Sequence, residues 1–382
     1  MAGTIRKRTW TTRKGEEKTA WVADYFDQHR KRHKRQFATR RAADVWLLKV
    51  RGEVSDGVHT PDGDSITVAE AAELRLTRRQ AQRLERGSRR TYEGYVAHIA
   101  PRLGTVKLSR LTRPMVEAFA DSLAQELSWQ RATRILTALK MILNAAQDRG
   151  LAGQNVALRV KLDQDERDKR PLSVGIDVPS KAEVQAIVGA VTGRARPRLL
   201  TLIFAGLRAS ELRGLVWADI DRERRILSVR QRADWWGAIG RPKSRNGYRD
   251  IPLPPLALNA LREWRLASSR ADQGGLDLVF PGHGGKVLNH TSLQRCFDEV
   301  QQAAGIVDAM GKTKYGLHAL RHFFASWRIE RGTEPKRLQQ LMGHGSIKMT
   351  YDTYGHWIGE VADEHARLAD DEAAVLGMSH RP

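Results

Sequence analysis

The first stretches of the chain alternate polar positions with aromatic or β-branched ones. TIRKRTWTT, KTAWVADYF and RHKRQFAT follow this pattern and are separated by charged turns, so residues 4–37 predict three short strands. From Arg40 to Val54 the pattern becomes helical, with Ala42, Val45, Trp46, Leu48 and Val50 supplying a partial apolar face. The expectation is a small three-stranded sheet on one helix, with an outer face rich in Arg and Lys that either contacts DNA or is merely solvated. VSDGVHTPDGDS has the Gly, Pro, Asp and Ser content of a linker.

Residues 66–165 repeat apolar side chains at three- and four-residue intervals in ITVAEAAELRL, SRRTYEGYVAHIAPRL, RPMVEAFADSLAQE and WQRATRILTALKMILNAAQDRGL. Thr67 and Ser88 are plausible helix starts and Gly150 a plausible stop, so the expectation is a compact helical bundle. QDERDKRPLSVG reads as a second linker. Beyond about Val178, helices are predicted over 180–192 and 196–217. A β-rich stretch, RILSVRQRADWWGAIGRPKSRNGYRDIPLP, follows, and more helices continue from there. The fold class is α+β and multidomain: a sheet-plus-helix module over 1–60, a helical bundle over 65–165, and a mixed, mainly helical domain with a small antiparallel sheet over 175–382.

Charge narrows the function. The 382 residues carry a formal net charge of +21, and basic residues outnumber acidic ones in all three parts. A surplus spread over the whole length suggests a polyanionic partner touched along most of the chain, and nucleic acid leads. The single cysteine, Cys296, excludes a disulfide framework and a thiolate metal site. No run approaches a membrane span and the N-terminus lacks a signal core, so a cytosolic, nucleoid-associated location and no membrane partner are expected.

Several chemistries find no support. There is no phosphate-cradling GxxxxGK[ST] loop, no HExxH, no carboxylate cluster with metal spacing and no GxSxG elbow. Cationic and hydrogen-bonding groups stand out instead in the third region. FAGLRASELRGL sets Glu211 three residues after Arg208, which is also the spacing of an ordinary intrahelical ion pair. GLHALRH places His318 and Arg321 on one helix face with His322 beside them on another, and RPKSRNG carries Lys243 between candidate strands. His344 precedes Tyr351 and Tyr354 in GHGSIKMTYDTYGH. Each group alone has a bland explanation as a solvated or capping residue.

Together they suit attack on a phosphodiester. Two arginines can clamp its non-bridging oxygens, and His318 or His344 can add hydrogen bonds. A tyrosine, with a reference pKa of about 10, needs cationic neighbours or a base to act as nucleophile. A lysine can protonate the departing oxygen. On this reading the site takes no metal or other cofactor.

With those motifs in hand, the chain resembles the tyrosine recombinase, or phage-integrase, family. The order is an Arg in GLRxSEL, a hairpin Lys, HxLRH, then LxGH and a tyrosine. The resemblance implies Arg208, Lys243, His318, Arg321 and His344 as the catalytic set, Glu211 as a supporting acid and Tyr354 as the nucleophile. It makes Tyr351 a structural neighbour, and Arg245 and Arg249 lie close enough to Lys243 to rival it. It further implies strand exchange through a 3′-phosphotyrosyl link and a Holliday junction, without ATP, by a homotetramer on double-stranded DNA attachment sites. An arm-type DNA-binding domain over 1–60 points to the integrases of phages and mobile elements, which integrate and excise DNA, with DNA-bending or directionality factors as partners. The C-terminal stretch GEVADEHARLADDEAAVLGM is expected to form an amphipathic helix packing on its own or a neighbouring subunit. A type IB topoisomerase-like enzyme and a catalytically silent DNA-binding regulator of the same fold are the alternatives.

Overall fold

The computed structural model describes residues 3–81, 85–163, 171–268 and 275–358, with nothing said of the side chains of 79–81. The chain forms two compact units, Met1–Asp168 and Lys169–Pro382. The predicted C-terminal amphipathic helix and its docking lie outside the described residues, as does most of the second predicted linker.

The first unit opens with an antiparallel sheet of β1 (Thr4–Thr11), β2 (Glu17–Phe26) and β3 (Arg32–Phe37), in that order. Helix α1 (Arg40–Ser55) starts at Thr39, whose hydroxyl accepts from the Ala42 amide. It buries Ala43, Leu47 and Val50, the last two in a small core with Tyr25, while Val45 and Leu48 are 65% and 73% exposed. The apolar face therefore lies about one position from the one predicted. Trp46, packed edge-on to Tyr25 with centroids 5.3 Å apart, orients the helix on the sheet. On the opposite sheet face the Asp24 carboxylate grips Arg32 through two hydrogen bonds of 2.8 and 2.6 Å.

The same unit continues with α2 (Val68–Ala81), α3 (Arg86–Leu103), α4 (Arg113–Glu126) and α5 (Trp129–Gln147). Their apolar stripes meet in a separate core that includes Ile99, Leu123, Ile135, Leu139, Ile142 and Leu143. Thr67 and Glu70 cap α2 reciprocally, whereas Ser88 lies inside α3 rather than at its start. The segment read as the first linker is held from both sides. His59 bonds Tyr25 and Glu53 at 2.7 and 2.8 Å, Lys31 pairs with Asp64, Arg110 and Ser109 grip Asp62, and Thr60 accepts from the Gly153 amide.

The second unit begins with α6 (Lys181–Ala190), capped by Ser180 and Glu183, and α7 (Ala195–Ala205). The helix expected over 196–217 breaks here, because Gly206 takes a left-handed φ of 59° and α8 (Ala209–Arg213) starts afresh. A β-carbon at Gly206 would fall 2.4 Å from the Phe324 ring, so packing as well as the left-handed backbone bars a side chain at this turn. Strands β4 (Ile220–Asp221) and β5 (Ile226–Val229) come next, then the hairpin of β6 (Arg232–Ala233) and β7 (Ile239–Gly240). β8 (Arg249–Pro252) completes an antiparallel sheet of order β4-β5-β8. Helices α9 (Pro255–Ala267), α10 (His290–Ala303), α11 (Leu317–Glu330), α12 (Pro335–Met342) and α13 (Ile347–Ile358) enclose a core that includes Leu199, Phe280, Phe297, Leu320 and Tyr354.

Candidate active site

The break at Gly206 positions the first cation. Arg208 stands at the N-cap of α8 with an extended backbone, so its pair with Glu211 is not the intrahelical one its spacing suggested. The buried Glu211 carboxylate accepts from the Arg208 amide at 2.9 Å and from Arg208 Nη1 at 2.8 Å. It also accepts from Arg249 Nη2 at 2.8 Å and Nη1 at 3.2 Å. Burial alone would raise this carboxyl, but Arg249, Arg321 and Arg208 outweigh it and hold the pKa at about 2.

Arg321 comes from α11 and is 2% exposed. Its Nη1 donates to the Gly206 carbonyl at 2.6 Å and its Nη2 to the Met342 carbonyl. Arg208 Nη2 reaches the Gly343 carbonyl at 3.4 Å. Gly343 ends α12 with a left-handed φ of 62°, where a β-carbon would lie 2.9 Å from both Arg249 Nη1 and the Asn246 carbonyl. Two helix C-termini, α7 and α12, thus turn their carbonyls onto the arginines, the favourable pairing of cation and helix dipole. Burial, then Arg208, lowers the Arg321 pKa to about 9, which leaves the guanidinium charged at neutral pH.

Three imidazoles surround this cluster. His344 is buried, with Nδ1 2.9 Å from the Thr350 hydroxyl, and burial and then Arg321 and Arg208 press its pKa down to about 3. His318 keeps a solvent-facing side, yet crowding by surrounding protein, then His322 and Arg321, lowers its pKa to about 4. Both shifts favour the neutral imidazole over the cation. His322 packs edge-on to His318 with centroids 4.6 Å apart and places Nδ1 2.9 Å from Tyr354 Oη.

Tyr354 on α13 is 1% exposed, stacked between His344 and Trp357 at centroid distances of 6.2 and 5.9 Å. Burial pushes its hydroxyl up to about 12, and Arg321 and Arg208 offset only part of that rise. The expectation that nearby cations favour the phenolate holds in direction, but desolvation wins in the free protein. Tyr351 is 49% exposed on the same helix.

Arg208, Glu211, Arg321, His344 and Tyr354 converge around the ends of α7 and α12, with His318 joined to them through His322 and its charge coupling to Arg321. Lys243 is exposed on the loop between β7 and β8. That loop is anchored beside the cluster, because Asn246 donates to the carbonyls of His344 and Gly345 at 2.9 and 3.2 Å. Arg249, a rival to Lys243 by position, is committed to Glu211 and to the Leu341 carbonyl at 2.7 Å. Sequence reasoning missed Arg249 as the second partner of Glu211, Thr350 as the partner of His344, and His322 as the partner of Tyr354. Only His322 left a signal: it was expected on a different face from His318, but it follows by four residues and the two rings pack 4.6 Å apart on the same face. Among the described residues no group of three His, Cys, Asp or Glu side chains is arranged to hold a metal ion.

Residues 180–358 match the model of the phage integrase family. The chain is 26% identical over 292 residues to a tyrosine recombinase XerC-like protein of Caldanaerobacter subterraneus subsp. tengcongensis, covering 70% of this chain and 73% of that one. It is 29% identical over 212 residues to the prophage integrase IntR of Escherichia coli, covering half of each. Among solved structures, the Tn1549 transposon integrase in complex with a circular intermediate DNA superposes with a TM-score of 0.66 at 20% identity, covering 81% of this chain and 99% of the other. A lambda integrase tetramer bound to a Holliday junction gives 0.57 at 19% identity, covering 88% and 95%.

Proposed function

Because this chain belongs to the phage-integrase family of tyrosine recombinases, a site-specific recombinase that cuts and rejoins DNA, we propose that Tyr354 is its nucleophile and that Arg208, Lys243, His318, Arg321 and His344 serve the same step. The observation that carries this reading is the packing of Tyr354 against His344 and His322, beside the two arginines whose charges act on its hydroxyl. Tyr354 Oη attacks the scissile phosphorus, the bond to the 5′-oxygen breaks, and a 3′-phosphotyrosyl link forms. Arg208 and Arg321 offset the charge that develops on the non-bridging oxygens, and His318 and His344 donate hydrogen bonds to them. Lys243 protonates the departing 5′-oxygen. A 5′-hydroxyl of the partner duplex then attacks the phosphotyrosine, so one phosphodiester replaces another and no external energy source enters.

Tyr354 is 1% exposed, so a phosphate reaches its hydroxyl only after the residues covering it give way. The helical bundle over 65–165 and the domain over 175–382 grip the core site, and the basic sheet face over 1–60 reads a neighbouring stretch of double-stranded DNA. A homotetramer joins two such sites, as in the lambda integrase complex, and integrates or excises a phage or other mobile element. The comparisons favour recombination over the topoisomerase-like and silent-regulator alternatives.

Nicked suicide duplexes carrying the cognate junction test the assignment. Wild type and Tyr351→Phe are expected to form covalent adducts and Tyr354→Phe none; adducts lost in Tyr351→Phe but kept in Tyr354→Phe would reverse it.

A further inference from the structure

The hydroxyl of Tyr354 has one hydrogen-bond partner among the described residues, and it lies outside the catalytic set named above. Nδ1 of His322 stands 2.9 Å from Tyr354 Oη, close enough for direct proton transfer. For Nδ1 to accept from the phenol, the neutral ring carries its own proton on Nε2. With Tyr354 1% exposed, bulk solvent does not reach Oη in this arrangement. His344, the other imidazole near the tyrosine, runs parallel to its ring with centroids 6.2 Å apart and spends Nδ1 on Thr350, and it makes no hydrogen bond to Oη.

We propose that His322 is a catalytic base that takes the Tyr354 proton as the tyrosine attacks phosphorus, an inference that rests on Tyr354 being the nucleophile. In cleavage the Oη–H bond breaks, Oη bonds phosphorus, the bond to the 5′-oxygen breaks, and the proton passes to His322 Nδ1. In rejoining the imidazolium returns it to the departing Tyr354 oxygen, which closes the proton balance over the two steps. The groups facing His322 suit both directions. Burial and Arg321 on its own helix keep the imidazole neutral and ready to accept, and Asp177, from the segment before α6, favours the imidazolium once formed. His318 packs edge-on to it from the same helix, and Tyr354 faces it from α13.

The test is single-turnover adduct formation on a nicked suicide duplex carrying the cognate junction, followed across the neutral to alkaline range. Wild type, His322→Ala, His322→Asn and Tyr354→Phe are compared, with DNA binding measured by gel shift in parallel. Both His322 variants are expected to bind DNA normally and to cleave about 10²–10⁴-fold more slowly at neutral pH. Their rates should climb with hydroxide where wild type levels off, and added imidazole should restore part of the His322→Ala rate. Asn keeps a hydrogen-bond acceptor without basicity, so a His322→Asn rate and pH profile equal to wild type would reduce His322 to a positioning residue and overturn the proposal. Undiminished cleavage by His322→Ala would do the same, and if that variant fails to fold the Asn variant carries the test. Adducts persisting in Tyr354→Phe would instead sink the nucleophile assignment, and this proposal with it.

Discussion

Glu211 is the carboxylate on which the arginine cluster turns. It is 3% exposed and shared by Arg208 and Arg249, so removing its charge strands two guanidinium groups. Breaking one side of a buried ion pair typically costs about 3–5 kcal/mol, and Glu211→Gln is expected to lose that much in urea unfolding of the second unit. The pH dependence has a definite sign. The folded carboxyl titrates at about 2 against an ordinary 4.5, so its contribution is complete above that ordinary value and fades as pH falls toward the folded one. Wild type should lose this part of its stability on acidification, while the Gln variant, with nothing there to protonate, should lack that component. At this scale much of the site was legible: Arg208, His318, Arg321, His344 and Tyr354 each sit in a short ordered motif. Arg249 was not, because its tie to Glu211 bridges a strand and a helix far apart in the chain. Nor was the burial of Tyr354, which depends on how α13 lies against α11 and α12.

Among the elements, α7 and α12 matter most because each ends in a left-handed glycine beside an arginine. Gly343→Ala places a methyl 2.9 Å from Arg249 Nη1 and the Asn246 carbonyl at a φ of 62°. Strain of this kind costs about 1–3 kcal/mol, so the variant should melt earlier. Its cleavage rate should fall more than its DNA affinity, since the displaced carbonyl faces Arg208. The helices of the bundle were legible from their period, and α1 in extent though not in the face it buries. The break at Gly206 was hidden because AGLRASELRGL continues a helical pattern without interruption. What bars a side chain at that turn is the Phe324 ring on α11, a contact that no local window contains.

For the whole molecule, a net charge of +21 shared by both units predicts steep salt dependence of DNA binding. Log affinity against log salt should fall by about 0.9 per phosphate neutralised. Replacing the exposed sheet residues Arg6 and Arg8 by Ala should lower that slope by up to about two, and leave cleavage of a core-site suicide substrate near wild type. An unchanged slope would remove the sheet face from the DNA interface. The charge was legible from composition alone. Composition also marked residues 54–65 as a linker, and could not show that Tyr25, Lys31, Arg110 and Gly153 tie that segment down, because a Gly-, Pro- and Asp-rich stretch reads alike whether solvated or strapped.

The carbonyls of Gly206, Met342 and Gly343 hold Arg321 and Arg208 from the protein's own backbone. They are partial charges set against Arg321 and Arg208, and they neutralise those cations less completely than a phosphate does. Glu211 sets one carboxylate against the three guanidinium groups of Arg208, Arg249 and Arg321, so the cluster folds against part of its own repulsion. On the function proposed above, substitutions that calm that repulsion also remove cations the reaction uses, so selection for a sturdier resting protein and selection for a faster recombinase pull this cluster in opposite directions.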